Sequence, residues 1–174
     1  MQLVDCIQGE RSWWAARLGI PTASEFDKIV TPARLDPSSQ VKGYANKLLA
    51  EWLRGQPDDS FQSDWMKRGH EVEAEAISAY GLIKDCDPER VGFCLTDCGR
   101  YGASPDSLIG DDGGLEVKCP SPGVHVGYLL DGKLPTTYRV QVIGSLLVTG
   151  REWWDFESYH PDMEPLIVRT WRKE

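Results

Sequence analysis

Apolar and polar positions alternate most clearly on either side of a double glycine. The runs Leu108-Ile109 and Leu115-Glu116-Val117-Lys118-Cys119 flank Asp111-Asp112-Gly113-Gly114, a cluster that favours a tight turn because glycine tolerates positive φ. The pattern predicts a β-hairpin. A strand has a period of two residues, so Leu115, Val117 and Cys119 are expected to enter a core while Glu116 and Lys118 project from the other face.

The rest of the chain reads mainly in helical periods. A short helix is expected over 11–18, with Trp13, Trp14 and Leu18 packing and Arg11 and Arg17 polar, stopped by Gly19-Ile20-Pro21. Thr22-Ala23-Ser24-Glu25 has capping-box spacing, which would start a helix whose free N–H groups attract anions beside Arg17 and Ser24. The plain alternative there is a capped helix next to an exposed arginine. After a loop over 31–39, Val41, Tyr44, Ala45, Leu48, Leu49 and Trp52 mark a helix ending at Gly55, and 56–60 is a polar connection. A longer helix over 62–80 gathers Trp65, Gly69, Val72, Ala76 and Tyr80 on one sector, widened by Met66 and Ile77. Glu71 and Glu75 fall opposite, on the solvated side. Glu73 falls inside the apolar arc. A lone buried carboxylate is costly, so Glu73 is expected to be neutralised, paired with an arginine at the helix rim, or bound to an ion.

Strands over 91–95 and 100–104, turning at Asp97-Cys98-Gly99, are expected to join the hairpin in one meander. A Gly/Pro loop carrying His125 follows Pro120. A helix over 135–148 buries Tyr138, Val142, Ile143, Leu146 and Leu147, places Gln141 beside that stripe and ends at Gly150. Strands over 153–159 and 166–171 close the chain. The expected fold is α/β (α+β): a mixed central β-sheet flanked by helices, in a single domain over 1–174.

Composition narrows this picture. With 41% hydrophobic residues and seven Trp the chain can bury a substantial core, and no segment approaches the roughly 20 apolar residues of a membrane span. No signal peptide is recognised, so the cytoplasm is expected. The five cysteines have irregular spacing, and Cys94-x3-Cys98 lacks the paired knuckles of a zinc site, so they read as reduced structural thiols. His70, His125 and His160 have no partner spacing, which favours packing or surface roles over ligation. A net charge of −8 argues against a nucleic-acid partner unless a local basic surface coexists with an acidic exterior.

The hairpin also carries chemistry. Asp106 lies across the turn from Glu116, and two carboxylates held together repel unless a cation sits between them. Oxygen-only ligands suit a hard ion such as Mg²⁺, and Lys118 would stand beside a water and a phosphate there. The same spacing also fits a surface hairpin with solvated charges.

Pro105-Asp106 followed by Glu116-Val117-Lys118 resembles the signature of the PD-(D/E)xK nucleases. The wider set resembles the lambda-type phage recombination exonucleases, the viral-recombinase branch of that superfamily. It comprises Trp14-Ala-Ala-Arg17-Leu-Gly-Ile-Pro-Thr22-Ala-Ser24, Leu49-Ala-Glu51, Gly69-x3-Glu73-x2-Ala76, Ser104-Pro105-Asp106, Gly114-Leu-Glu116-Val-Lys118-Cys-Pro120, Tyr138-x2-Gln141-Val and the stretch from Trp153 to Pro161. These lie in order along nearly the whole chain. The resemblance implies that Asp106, Glu116 and the Val117 carbonyl bind Mg²⁺, replaceable by Mn²⁺ and with two ions per site, while Glu73 supports the cluster. It implies that Lys118 positions or deprotonates the attacking water. Ser104 and Gln141 would contact the scissile or adjacent phosphate, and Arg17 and Ser24 the 5′-phosphate. It further implies a homotrimer that digests one strand of double-stranded DNA 5′→3′ from its ends. Such a protein would work with a single-strand annealing protein in a bacterial cell and be phage- or prophage-encoded. The chain departs from the family at Ser107, where glycine often follows Pro-Asp, and at Ile143, where a second glutamine often stands. Two other readings stay open: another nuclease of the superfamily, of the repair or CRISPR-adaptation type, and a DNA-end-binding protein with a relict site.

Overall fold

The computed structural model describes residues 1–57 and 64–173, with side chains for 1–57 and 72–173. The expectations for 58–63, and those for the side chains of Trp65, Met66, Gly69, His70 and Glu71, lie outside the described residues. The chain runs β1 (Gln2–Val4), α1 (Arg11–Arg17), a 3-10 helix (Ala23–Lys28), α2 (Val41–Arg54), α3 (Asp64–Lys84), β2 (Pro88–Glu89), β3 (Phe93–Leu95) and β4 (Gly102–Ala103). It continues through β5 (Ser107–Ile109), β6 (Gly113–Lys118), α4 (Pro122–Asp131), α5 (Thr136–Thr149), β7 (Trp153–His160) and β8 (Met163–Trp171). By its contacts the chain divides into two units interleaved along the sequence, one of 1–60, 91–105 and 136–150 and the other of 61–90, 106–135 and 151–174.

The second unit holds the mixed five-stranded sheet, in the order β2-β5-β6-β7-β8. The predicted hairpin is its centre: β5 and β6 pair antiparallel with Ser107 opposite Leu115. Its turn differs from expectation. Gly110 takes the positive φ of 50°, and Gly113 and Gly114 are strand residues. Their lack of side chains serves packing instead. A Cβ would meet the Trp153 ring at 2.0 Å from Gly113 and the Trp154 ring at 2.2 Å from Gly114. Arg151 closes the turn, its Nη1 donating to the carbonyls of Gly110 (2.6 Å) and Gly113 (2.7 Å).

β6 pairs parallel with β7, and β7 antiparallel with β8. The period-two expectation holds on β6, where Leu115 and Val117 join Ala76, Ile77 and Tyr80 of α3 in one core, with Cys119 packed against it. The polar face is buried as well, so Glu116 is also inside. On β7, Asp155 and Tyr159 face α3: the Tyr80 hydroxyl donates to Asp155 at 2.7 Å and the Tyr159 hydroxyl to Glu75 at 2.8 Å. Glu75, expected in free solvent, is thus engaged at the exposed rim. The opposite face of β7 meets α4, whose buried His125 bonds Ser158 (2.7 Å) and the Glu164 carbonyl (3.0 Å). A carbonyl only accepts, so Nε2 donates to it, and His125 packs rather than ligates. The expected loop around His125 is therefore a helix. Ser121 precedes it with extended backbone and Pro122 stands in its first turn, where the missing N–H costs nothing.

In the first unit β1, β3 and β4 form a separate three-stranded sheet. The single meander expected from 91 to 119 is therefore split between two sheets. The core there joins Ala23 and Phe26 of the 3-10 helix, Cys94, Ala103, and Val140 and Val148 of α5. α5 matches expectation at Val142 and Leu146, but Leu147 is 61% exposed. α2 ends at Gly55 as expected (φ 66°), yet of its apolar stripe only Tyr44 is buried, and Trp52 stays 66% exposed. Among the described residues no helix is long and apolar enough to cross a membrane, and all five cysteines are free thiols.

The buried Asp155 carboxylate accepts from Tyr80 and from Arg169 at two points, both 2.8 Å. Asp155→Ala leaves a buried hydroxyl and a guanidinium unpaired, so it is expected to lower unfolding stability by about 3 kcal/mol in urea denaturation.

Candidate active site

The carboxylates are assembled by the hairpin register. Ser107 faces Leu115, so Asp106, one residue before β5, falls beside Glu116 at the open end of the ladder. The Val117 N–H donates to Asp106 Oδ2 at 2.6 Å, which fixes that side chain against β6. Glu116 is buried, and the Lys118 ammonium is bonded to its Oε1. Burial above all, then the Glu116 charge and more weakly the Glu73 charge, hold the Asp106 carboxyl well above the usual carboxylate range, against the opposing pull of Lys118 and the Val117 N–H. The same crowding acts on Cys119. Burial, then the Glu73, Glu157 and Asp106 carboxylates, push its thiol up to about 12, so it stays protonated and inert.

Glu73 lies at the edge of this group. Its side chain is 24% exposed and paired with Arg90 at 3.2 Å. Of the three expectations for this glutamate, pairing at the helix rim is the one realised, while Asp106 still feels its charge. Among the described residues no three His, Cys, Asp or Glu side chains converge as a metal cage. Lys118 engages Glu116 and Arg90 engages Glu73. The donor set nevertheless fits a hard cation. Asp106 and Glu116 are forced together, Asp106 is poor at holding its own charge, and every candidate donor is oxygen.

The first unit contains the other expected residues. Trp13 and Arg17 are four apart on α1 and share a face, so the guanidinium stacks 4.3 Å from the indole centroid. Gly102 N–H donates to the Pro21 carbonyl at 3.0 Å, which lays Thr22 alongside β4 and Ser104 just beyond it. Arg17 donates to Ser104 Oγ (2.9 Å) and Thr22 Oγ1 (3.4 Å), and Thr22 Oγ1 lies 3.3 Å from the exposed Ser24 Oγ. Burial lowers the Arg17 pKa, and among the described residues its hydrogen-bond partners are hydroxyls.

The capping box is not formed. The Thr22 side chain makes no cap bond, Glu25 pairs with Lys28 and Lys47 (3.2 Å), and the element is a six-residue 3-10 helix. The polar groups of this corner are therefore the Arg17 guanidinium and hydroxyls, not the N–H groups of a helix end. Gln141 is half-buried on α5, in the same unit as Arg17, Ser24 and Ser104. By sequence alone Trp13 is a packing residue and Thr22 a capping residue. Only the four-residue spacing of Trp13 and Arg17 hinted at their contact.

The profile of the YqaJ-like viral recombinase domain matches residues 12–152. The chain is similar to the crystal structure of an alkaline exonuclease, LHK-Exo, from Laribacter hongkongensis, at 32% identity and a TM-score of 0.82, covering 94% of this chain and 82% of that one. The structure of LHK-Exo in complex with dAMP is matched at 31% identity and a TM-score of 0.83, covering 94% and 83%. A phage related exonuclease from Haemophilus somnus 129PT shares the fold at 13% identity and a TM-score of 0.65, covering 88% and 84%. No curated protein sequence matches. The mixed sheet flanked by helices is thus the nuclease fold of these exonucleases.

One buried acid lies outside the expected set. Glu157, beside Val117 on β7, has no hydrogen-bond partner for either oxygen among the described residues. Burial, then the Asp155 charge, raise its carboxyl to about 8. The folded state then holds a proton that the unfolded chain releases near the ordinary carboxylate range, so stability falls as pH rises from there to about 8 and levels off above. Glu157→Gln is expected to flatten this decline, which Tm measured from pH 5 to pH 9 would show as a gain confined to the alkaline side.

Proposed function

This chain belongs to the YqaJ-like viral recombinase family and is a DNA exonuclease, a hydrolase; we propose that it digests one strand of linear double-stranded DNA 5′→3′ with Mg²⁺, or Mn²⁺ in its place, in recombination by single-strand annealing. The observation that carries the metal-dependent part is the bond from the Val117 N–H to Asp106, which sets this carboxylate beside Glu116-Val117-Lys118. Asp106, Glu116 and the Val117 carbonyl would hold the ion, with Glu73 supporting. When bound, the ion lowers the pKa of a water and stabilises charge building on phosphate oxygens.

The chain's own groups supply the rest. Lys118 Nζ, now on Glu116, would be freed once that carboxylate has a divalent partner, and would then orient or deprotonate the attacking water. Arg17 and Ser24 would hold the 5′-phosphate, and Ser104 and Gln141 the scissile or adjacent phosphate. The reading includes a homotrimer and a single-strand annealing protein as partner.

The deciding assay follows labelled linear duplex, with 5′-phosphate or 5′-hydroxyl ends, in Mg²⁺ and in EDTA. Release of nucleotides in Mg²⁺ and none in EDTA is expected. Metal-independent release, or binding without release, would overturn the proposal, the latter in favour of an end-binding protein.

Asp106→Asn is expected to lower cleavage by about a hundredfold or more, the loss typical of removing one preorganised transition-state contact, while DNA binding persists because repulsion of phosphate is relieved. Cleavage above about a tenth of wild type would remove Asp106 from the ligand set, measured against that same scale. Arg17→Ala is expected to slow digestion of 5′-phosphorylated ends by about tenfold to a hundredfold, the worth of one charge-assisted contact, and of 5′-hydroxyl ends far less. Equal slowing on both ends would assign Arg17 to general backbone contact or to folding, and a melting curve separates the two.

A further inference from the structure

A serine hydroxyl has one proton to donate and two lone pairs to accept with. At Ser104 both lone pairs are taken. The Trp13 indole Nε1 donates to its Oγ at 2.8 Å and Arg17 Nη1 donates at 2.9 Å. Neither partner can accept in return, because an indole N–H and a guanidinium are donors only. The hydroxyl proton must therefore point elsewhere, and among the described residues nothing accepts it. It is a donor held in one direction by two other donors, beside a half-buried cation whose bonded partners are hydroxyls.

Resting on the reading of Arg17 as the contact to a 5′-phosphate, we propose that Trp13 is a positioning residue. It fixes the Ser104 hydroxyl as a donor toward that phosphate, and so sets the preference for phosphorylated over hydroxyl ends. The proposal moves Ser104 from the scissile phosphate to the terminal one. A terminal phosphate monoester brings nearly two negative charges and several acceptor oxygens. A 5′-hydroxyl brings neither, so a group with only a proton to offer discriminates between them. Trp13 does two separable things here. Its ring stacks on Arg17 at 4.3 Å, and its N–H occupies Ser104. Without the N–H, a lone pair of Ser104 is released, the hydroxyl can rotate, and the aimed donor is lost while the stack persists.

Trp13→Phe separates the two functions, because it keeps a stacking ring and removes the N–H. The experiment measures kcat and KM on linear duplexes with 5′-phosphate and 5′-hydroxyl ends for wild type, Trp13→Phe, Ser104→Ala, the double variant and Arg17→Ala, with a melting curve for each. The expected result is a fall of about tenfold in the phosphate-to-hydroxyl ratio of kcat/KM in Trp13→Phe, carried by KM, the scale of one hydrogen bond to a charged group. Because the two residues act through one hydroxyl, the double variant should match Ser104→Ala alone instead of summing the two losses. A wild-type ratio in Trp13→Phe, additive losses in the double variant, or equal slowing on both ends with a lowered Tm would each overturn the proposal. A wild type with no preference for phosphorylated ends would overturn the underlying reading of Arg17. A preference lost in Arg17→Ala and kept in Trp13→Phe would defeat only the role given to Trp13.

Discussion

A single hydrogen bond, from the Val117 N–H to the Asp106 carboxylate at 2.6 Å, is where backbone register becomes site chemistry. The register of Ser107 with Leu115 brings Asp106 beside Glu116, and because Asp106 precedes β5 and is not itself paired in the ladder, this bond fixes its side chain against β6. Once it is bound to β6, the spacing of Glu116 and Lys118 is given by the strand. Two carboxylates and an ammonium then share a region that the sheet shields from water. The raised proton affinity of Asp106 follows from that arrangement. So does the capture of Lys118 by Glu116, the nearest available charge compensation. A one-residue slip would send Glu116 and Lys118 to the opposite face and dissolve the group.

The hairpin was legible in the sequence because two independent signals coincide there, alternation on β6 and the glycine-rich stretch before it. Which glycine turns the chain was not legible. Gly110 and Gly113-Gly114 are equally plausible turn residues until Trp153 and Trp154, some forty positions later, are seen to lie where two side chains would stand. The division into two sheets was hidden for a related reason. β3 has three residues and β4 two, and their alternation is the same whichever partners they take. What separates them from β5 and β6 is the pairing of β3 with Gln2–Val4, a contact that no local pattern records. Ser121-Pro122 was legible in principle, since an extended residue before a first-turn proline is a start signal and not only a break.

Burial of β6 and β7 on both faces explains why helix-wheel and strand-face arguments misjudged the charged residues. Nearly every residue of these two central strands is buried, whichever face it points to. Glu116, Asp155 and Glu157 are therefore all inside, although each stands in a sequence that alternates as if half exposed. They differ in what they meet. Asp155 has Tyr80 and Arg169, Glu116 has Lys118, and Glu157 finds no hydrogen-bond donor among the described residues. Sequence could place these acids on strands, but their partners come from α3, β8 and two residues along β6. On α3 the wheel did better, because Glu73 was placed inside an arc whose edge meets the hairpin acids, with an arginine as one of its expected partners.

The corner around Arg17 inverts the logic of the carboxylate group. There, charges of one sign are crowded until a cation is favoured. Here a cation is partly stripped of water and given hydroxyls in place of a carboxylate. A hydroxyl is a weak partner for a guanidinium, since it can offer a lone pair but no charge. The arginine is thus held by stacking on Trp13 and by bonds to Ser104 and Thr22, with no carboxylate among its hydrogen-bond partners in the described residues. A neighbouring aspartate would position it equally well and neutralise its charge. In an acidic chain of net charge −8, carboxylates are the commoner side chains to hand. Glu25 is bonded to Lys28 and Lys47 and reaches Arg17, as Glu51 does, only through its charge, so neither carboxylate hydrogen-bonds the guanidinium.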